Sequence, residues 1–195
     1  MDFATSSGLA FAAGINAYLP LLSFAAAVDL WPENFHINPQ FAFLTQGWCI
    51  VILVILTLAD FFADKVPGLD HVWDLLHTVL RPVAGALIAA AASHASGGWL
   101  PVVIALGAGL AAVTHTTKAS VRITSTVTTA GCMNIVLSFA EDVVAALSVL
   151  ASLIFPYVML VVVIAFVIVF FLLVPRITRT LKRKRKRNTP AVNQR

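Results

Sequence analysis

Charge is scarce in this chain, and most of the positive charge lies at one end. Only 11% of the 195 residues are Asp, Glu, Lys or Arg, and 59% are hydrophobic. Soluble domains carry about 25% charged residues. The scarcity excludes a water-soluble globular domain and fits a chain whose solvent is the bilayer. Of the 13 Lys and Arg, nine lie from Arg176 onward. The first 175 residues hold four basic residues, Lys65, Arg81, Lys118 and Arg122, against nine acidic ones. The basic pI therefore belongs to a tail, and it argues for anionic lipid headgroups rather than nucleic acid as the tail's partner.

Cysteine is nearly absent. Cys49 and Cys132 both fall in apolar segments without metal spacing, so they read as free buried thiols. No basic n-region precedes the first apolar stretch, so residues 8–28 are expected to stay as a membrane segment. There is no GxSxG, no HExxH, no phosphate-cradling glycine loop and no nucleotide fingerprint. No cofactor or metal site is therefore expected, and an enzyme is the less favoured class.

What the chain has is apolar length. The expected fold is an all-α polytopic membrane protein with about six passages: 8–28, 45–62, 82–98, 100–117, one within 123–155, and 158–174. The first is interrupted by Gly14, Asn16 and Pro20, and an amphipathic stretch, 69–80, precedes the third. There Asp70, Asp74, His77 and Arg81 form one polar stripe, which predicts an interfacial helix with Trp73 at headgroup level. Residues 1–175 form one membrane domain and 176–195 a polybasic tail. With the tail in the cytoplasm, every basic residue falls on one side or at its edge. This predicts a cell inner membrane protein with both termini inside.

The halves, about 8–98 and 100–175, are weakly alike. Phe62-Ala63-Asp64-Lys65-Val66 echoes Phe139-Ala140-Glu141-Asp142-Val143, and a proline (Pro82, Pro156) follows each. Two inverted three-helix repeats are expected, a recurring transporter plan.

Three strings carry a family resemblance: GLAFAAGINAYLPLL from Gly8, ADKVPGLDHVWDLLHTVLRPVAGAL from Ala63, and THTTKASVRITSTVTTAGCMNIVLSFAEDV from Thr114. Over residues 8 to about 160 the chain resembles the domain of unknown function 4126 family, small integral membrane proteins that are mostly bacterial. The chain departs from that pattern at Ile135, where the resemblance implies a proline after Asn134. The resemblance implies a membrane fold and brings no activity.

Candidate site residues cluster in the 115–129 run. His115, Lys118, Arg122, Ser125 and Thr129 recur at three and four, hence on one helix face. Two cations with surrounding hydroxyls suit a small anion or zwitterion. The density of Ser and Thr predicts a partly unwound helix. Lys118, Arg122, His115, Thr117, Asn16 and Asn134 are the expected substrate-binding residues. Asp60, Asp64, Glu141 and Asp142 are the expected gating or proton-coupling carboxylates, since a buried carboxylate must pair, bind a cation or take up a proton. Glu141 facing Lys118 or Arg122 would satisfy both charges.

Three functions fit these residues. The first is a small transporter or permease, for which a homodimer is expected. The second is a membrane scaffold in which the buried charges are static glue. The third is a lipid-modifying enzyme acting near His115.

Overall fold

The computed structural model describes residues 3–63, 69–129 and 132–188; for 69–71, 74 and 174–188 it describes the backbone alone. The chain is an all-α polytopic membrane protein. Its helices are α1 Phe3–Ala13, α2 Leu19–Leu30, α3 Gly47–Ala63, α4 Leu69–Ala91, α5 Leu100–Thr129, α6 Asn134–Ile154 and α7 Pro156–Asn188. Three helical segments are long and apolar enough to cross a membrane: Gly97–Thr129, Asn134–Ile154 and Pro156–Leu173. A fourth span exists if Pro39–Thr45 and α3, bent by 65°, count together.

The outward surface has the composition that hydrocarbon demands. Val72, Leu75, Leu76, Val79 and Leu80 of α4 are exposed, while His77 and Arg81 are 0% exposed. The expected interfacial helix is thus the first half of α4, and it continues through Pro82 to Ala91. Its polar residues His77 and Arg81 turn into the protein and its apolar face turns out, the reverse of a helix lying on a headgroup surface. A period of 3.6 is the same in both cases, so the pattern could not separate them.

The first apolar passage does not cross. Gly8 lies against Ser152 and Met159, at the end of α6 and the start of α7. Gly14 lies against Ala111 and Thr114, well inside α5. Hence α1 runs inward from the end of the molecule marked by Trp99. Its successor α2 packs on the 39–45 turn and on α3. That turn is itself tied to the end of α4, where Asn38 N donates to Ala91 O at 2.9 Å. The chain therefore returns to the Trp99 end, and α1–α2 is a re-entrant hairpin. At 11 and 12 residues, neither arm covers the roughly 30 Å hydrocarbon core, since each residue of helix adds about 1.5 Å.

By length and composition, then, three segments, or four with the bent pair, can span, and Phe3–Ala13, Leu19–Leu30 and Leu75–Ala91 are shorter apolar helices.

Local chemistry explains the turn. Asn16 Oδ1 accepts from Tyr18 N at 3.2 Å and Leu19 N at 3.0 Å, which satisfies backbone donors bared by the break. Pro20 sits in the first turn of α2, where a missing N–H costs nothing. Asn16→Ala should lower stability by about 1 kcal/mol, the usual cost of a lost cap, while Asn16→Ser keeps part of it. Thermal unfolding in detergent measures both.

The hairpin sits at the centre of the bundle. Ala4 to Ala13 are all buried, and α1 packs on α4, α5, α6 and α7. The tightest pairing is α4 on α5. A Cβ on Gly107 would stand 2.5 Å from Gly85 O, and one on Gly85 would stand 2.7 Å from Gly107 O. Such backbone approach is how helices associate where lipid supplies no hydrophobic drive. Both cysteines are free; Cys49 is buried as expected, but Cys132 is exposed at the start of α6.

Candidate functional site

Hydroxyls are the commonest polar groups of α5, and the helix consumes nearly all of them. Thr114, Thr116, Thr117, Ser120, Thr124, Thr126, Thr128 and Thr129 each donate to the carbonyl four residues back. The 115–129 run is therefore not unwound: α5 is continuous from Leu100 to Thr129. These hydroxyls satisfy themselves locally, a normal use of Ser and Thr in helices.

The charged residues of α5 behave differently. His115, Lys118 and Arg122 are 4%, 7% and 4% exposed; Lys118 and Arg122 share Glu141, and His115 turns elsewhere. Arg122 clamps Glu141 of α6, with Nη2 at 2.6 Å and Nε at 3.0 Å from Oε2. Lys118 Nζ stands 3.1 Å from the same Oε2. It also donates to Ile15 O, at 3.1 Å, in the turn of the hairpin. One ammonium thus joins α5, α6 and the tip of α1–α2.

His115 turns to α4. Arg81 Nη1 donates to its Nδ1 at 2.7 Å, and its Nε2 faces Thr78 Oγ1 at 3.3 Å. A guanidinium can only donate. In the neutral ring the remaining proton is therefore on Nε2, directed at Thr78. His115 cannot take a proton from that hydroxyl, so the pair is not a nucleophile and its base.

Across α4, a second carboxylate is enclosed. Asp60 of α3 is 2% exposed. Its Oδ1 accepts from Trp73 Nε1 at 2.7 Å and lies 3.4 Å from His77 Nε2. His77 Nδ1 donates to Trp73 O at 2.8 Å. Both imidazole nitrogens therefore face oxygen atoms, Trp73 O and Asp60 Oδ1. Tyr18, beside the hairpin turn, sets its ring edge-on to His77 at 5.7 Å. A nearly continuous polar cluster therefore runs from Asp60 through His77, Arg81 and His115 to Lys118, Glu141 and Arg122.

Depth follows from helix rise. Counting from the Trp99 end at about 1.5 Å per residue, Arg81 lies about 15 Å in, Asp60 and Glu141 about 20 Å, and Lys118 about 27 Å. The cluster begins near the middle of a roughly 30 Å core and extends toward the tail end. Charge at that depth is expensive without partners, and here each charged side chain has one.

The expected site residues divide accordingly. Lys118, Arg122, His115, Glu141 and Asp60 come together. Asn16 spends its carbonyl on the hairpin turn beside them. Asn134 lies about two helical turns from Glu141 toward the tail end and donates from Nδ2 to Thr126 Oγ1 at 2.9 Å. Thr117 does not join them: it donates to Val113 O and lines a crevice between α5 and α7 with Ser120, Thr124 and Phe170. Asp142 is half-buried beside Glu141. Asp64 lies outside the described residues. Sequence reasoning missed Arg81, His77 and Trp73 as members. The available signal was the matching i, i+4 spacing of His77–Arg81 and Lys118–Arg122, each on an otherwise apolar helix.

No curated protein and no solved structure matches this chain. The family model described as "Domain of unknown function (DUF4126)" matches residues 3–176, taking in every residue of the cluster. The strings around Asn16, His77–Arg81 and Lys118–Glu141 are thus parts of one recognised unit, and the chain belongs to the domain of unknown function 4126 family.

Proposed function

We propose that this protein is a small membrane transporter for a small anion or zwitterion. The observation that carries the reading is the position of Lys118. Its ammonium is shared between a carboxylate, Glu141, and a backbone carbonyl bared by a helix break, Ile15 O. Broken helices that meet charged side chains near mid-membrane are the usual construction of transporter sites. Lys118 and Arg122 bind the substrate's negative group in exchange for Glu141, which then takes up the proton that couples transport. Asp60 and Asp142 are the accessory carboxylates, and the hairpin tip is the moving part.

The positive-inside rule puts the tail end in the cytoplasm of a cell with an inner membrane. The connections at the Trp99 end, 31–46 and 92–99, contain no Lys or Arg. The polybasic tail then rests on anionic headgroups. With so few helices, a homodimer is the working form.

Purified protein in liposomes tests this reading. Gradients of chloride, phosphate, acetate and glycine are imposed, with an internal pH dye. At least one solute should move in the native protein, and Lys118→Met should abolish that movement. Folded protein that moves and binds none of them overturns the proposal. The closed Arg122–Glu141 clamp favours a second reading, a membrane scaffold whose ion pairs are static. In that case flux is absent and the cluster matters to stability alone.

A further inference from the structure

Among the described hydroxyls of α5 from Thr114 to Thr129, only Ser125 forgoes the bond to the carbonyl four residues back. Its Oγ is buried and makes no hydrogen bond among the described residues. The same holds on α6 for Ser138 Oγ, in a residue 0% exposed, and for Asn134 Oδ1, in a residue 7% exposed. Two contacts bracket these groups. Arg122 meets Glu141 on one side and Thr126 meets Asn134 on the other. Ser125 falls between the α5 members, and Ser138 between the α6 members on the same helix face.

Buried polar atoms in native proteins nearly always find a partner, and a pair of serines can find one by turning back on its own helix. Ser125 and Ser138 do not. The unspent groups are two hydroxyls, able to donate and accept, and one amide carbonyl, able only to accept. An anion would be repelled by that carbonyl. Water, which needs two to four mixed partners, matches the set.

We propose that Ser125, Asn134 and Ser138 hold a file of ordered water that reaches Glu141 from the tail end. The file stops at Glu141. Beyond it, toward the Trp99 end, Lys118 is bonded to Ile15 O and the α1–α2 hairpin fills the bundle. Glu141 faces Lys118 and Arg122 on α5, with Asp142 next to it on α6; α1 brings a carbonyl and no titratable group. Access to the site is therefore one-sided in this conformation. The inference rests on the transport reading only for its use, since water access exists or fails independently of flux.

The test uses the full chain with Cys49→Ala and Cys132→Ala, in vesicles with the tail side outward. A charged, membrane-impermeant methanethiosulfonate is added outside. Ser138→Cys should be modified. Ser152→Cys should not, because Ser152 is equally buried but bonded to Ser148 O. If Ser138→Cys does not fold, Asn134→Cys gives the same readout. Modification of neither Ser138→Cys nor Asn134→Cys, or equal modification of Ser152→Cys, overturns the inlet. A modified Ser138→Cys in protein that moves no solute sinks the transport reading alone. An unmodified one in protein that transports sinks the inlet alone.

Discussion

Glu141→Ala should cost this protein about 3–5 kcal/mol of stability, the largest effect expected of any single substitution in the cluster. The reason is geometric. Glu141 is the shared partner of Arg122 and Lys118, at 2.6 and 3.1 Å, and both cations are buried. Removing the carboxylate leaves two buried cations facing each other. The size of the loss is not the worth of the pair, because desolvation offsets much of the attraction. For that reason a triple variant, Lys118→Met with Arg122→Met and Glu141→Gln, should recover most of the lost stability. Titration with denaturing detergent, followed by helical circular dichroism, measures both. A single variant as stable as the native protein would mean that the three groups are solvated.

Gly107→Leu should be the most damaging apolar substitution, at about 1–3 kcal/mol or more. A Cβ there meets Gly85 O at 2.5 Å, and a backbone carbonyl has no rotamer in which to withdraw. The α4–α5 pair must separate, and with it the contact of Arg81 with His115. The expected result is a lower unfolding temperature in detergent and loss of the Arg81–His115 coupling in a double-mutant cycle. Gly109→Leu is the control: no atom lies within 4 Å of the Cβ position there, so stability should be unchanged. Equal losses at both positions would contradict the close approach.

Some of this was legible in the sequence. Composition alone established a helical membrane protein, and the interruption of apolar runs by Glu141 and by Lys118 and Arg122 anticipated their pairing. The hairpin was not legible, for a specific reason. Residues 3–13 carry no Lys or Arg, so charge bias could not say whether that segment crosses or returns. Its length could not say either, because Gly14 to Tyr18 read equally well as a kink or a turn. An amphipathic period has no sign: it does not tell whether the polar face, here His77 and Arg81, meets water or protein. The hydroxyl run misled in the opposite direction. Its density pointed to a donor-rich, loosened helix, whereas back-bonding leaves Ser125 as the exception that informs.

The central claim is that the buried charges work rather than merely hold. The triple neutral variant in liposomes tests it most directly, because it separates stability from use. The account predicts a folded protein that no longer moves the solute the native protein moves. A folded triple variant with native flux would contradict it.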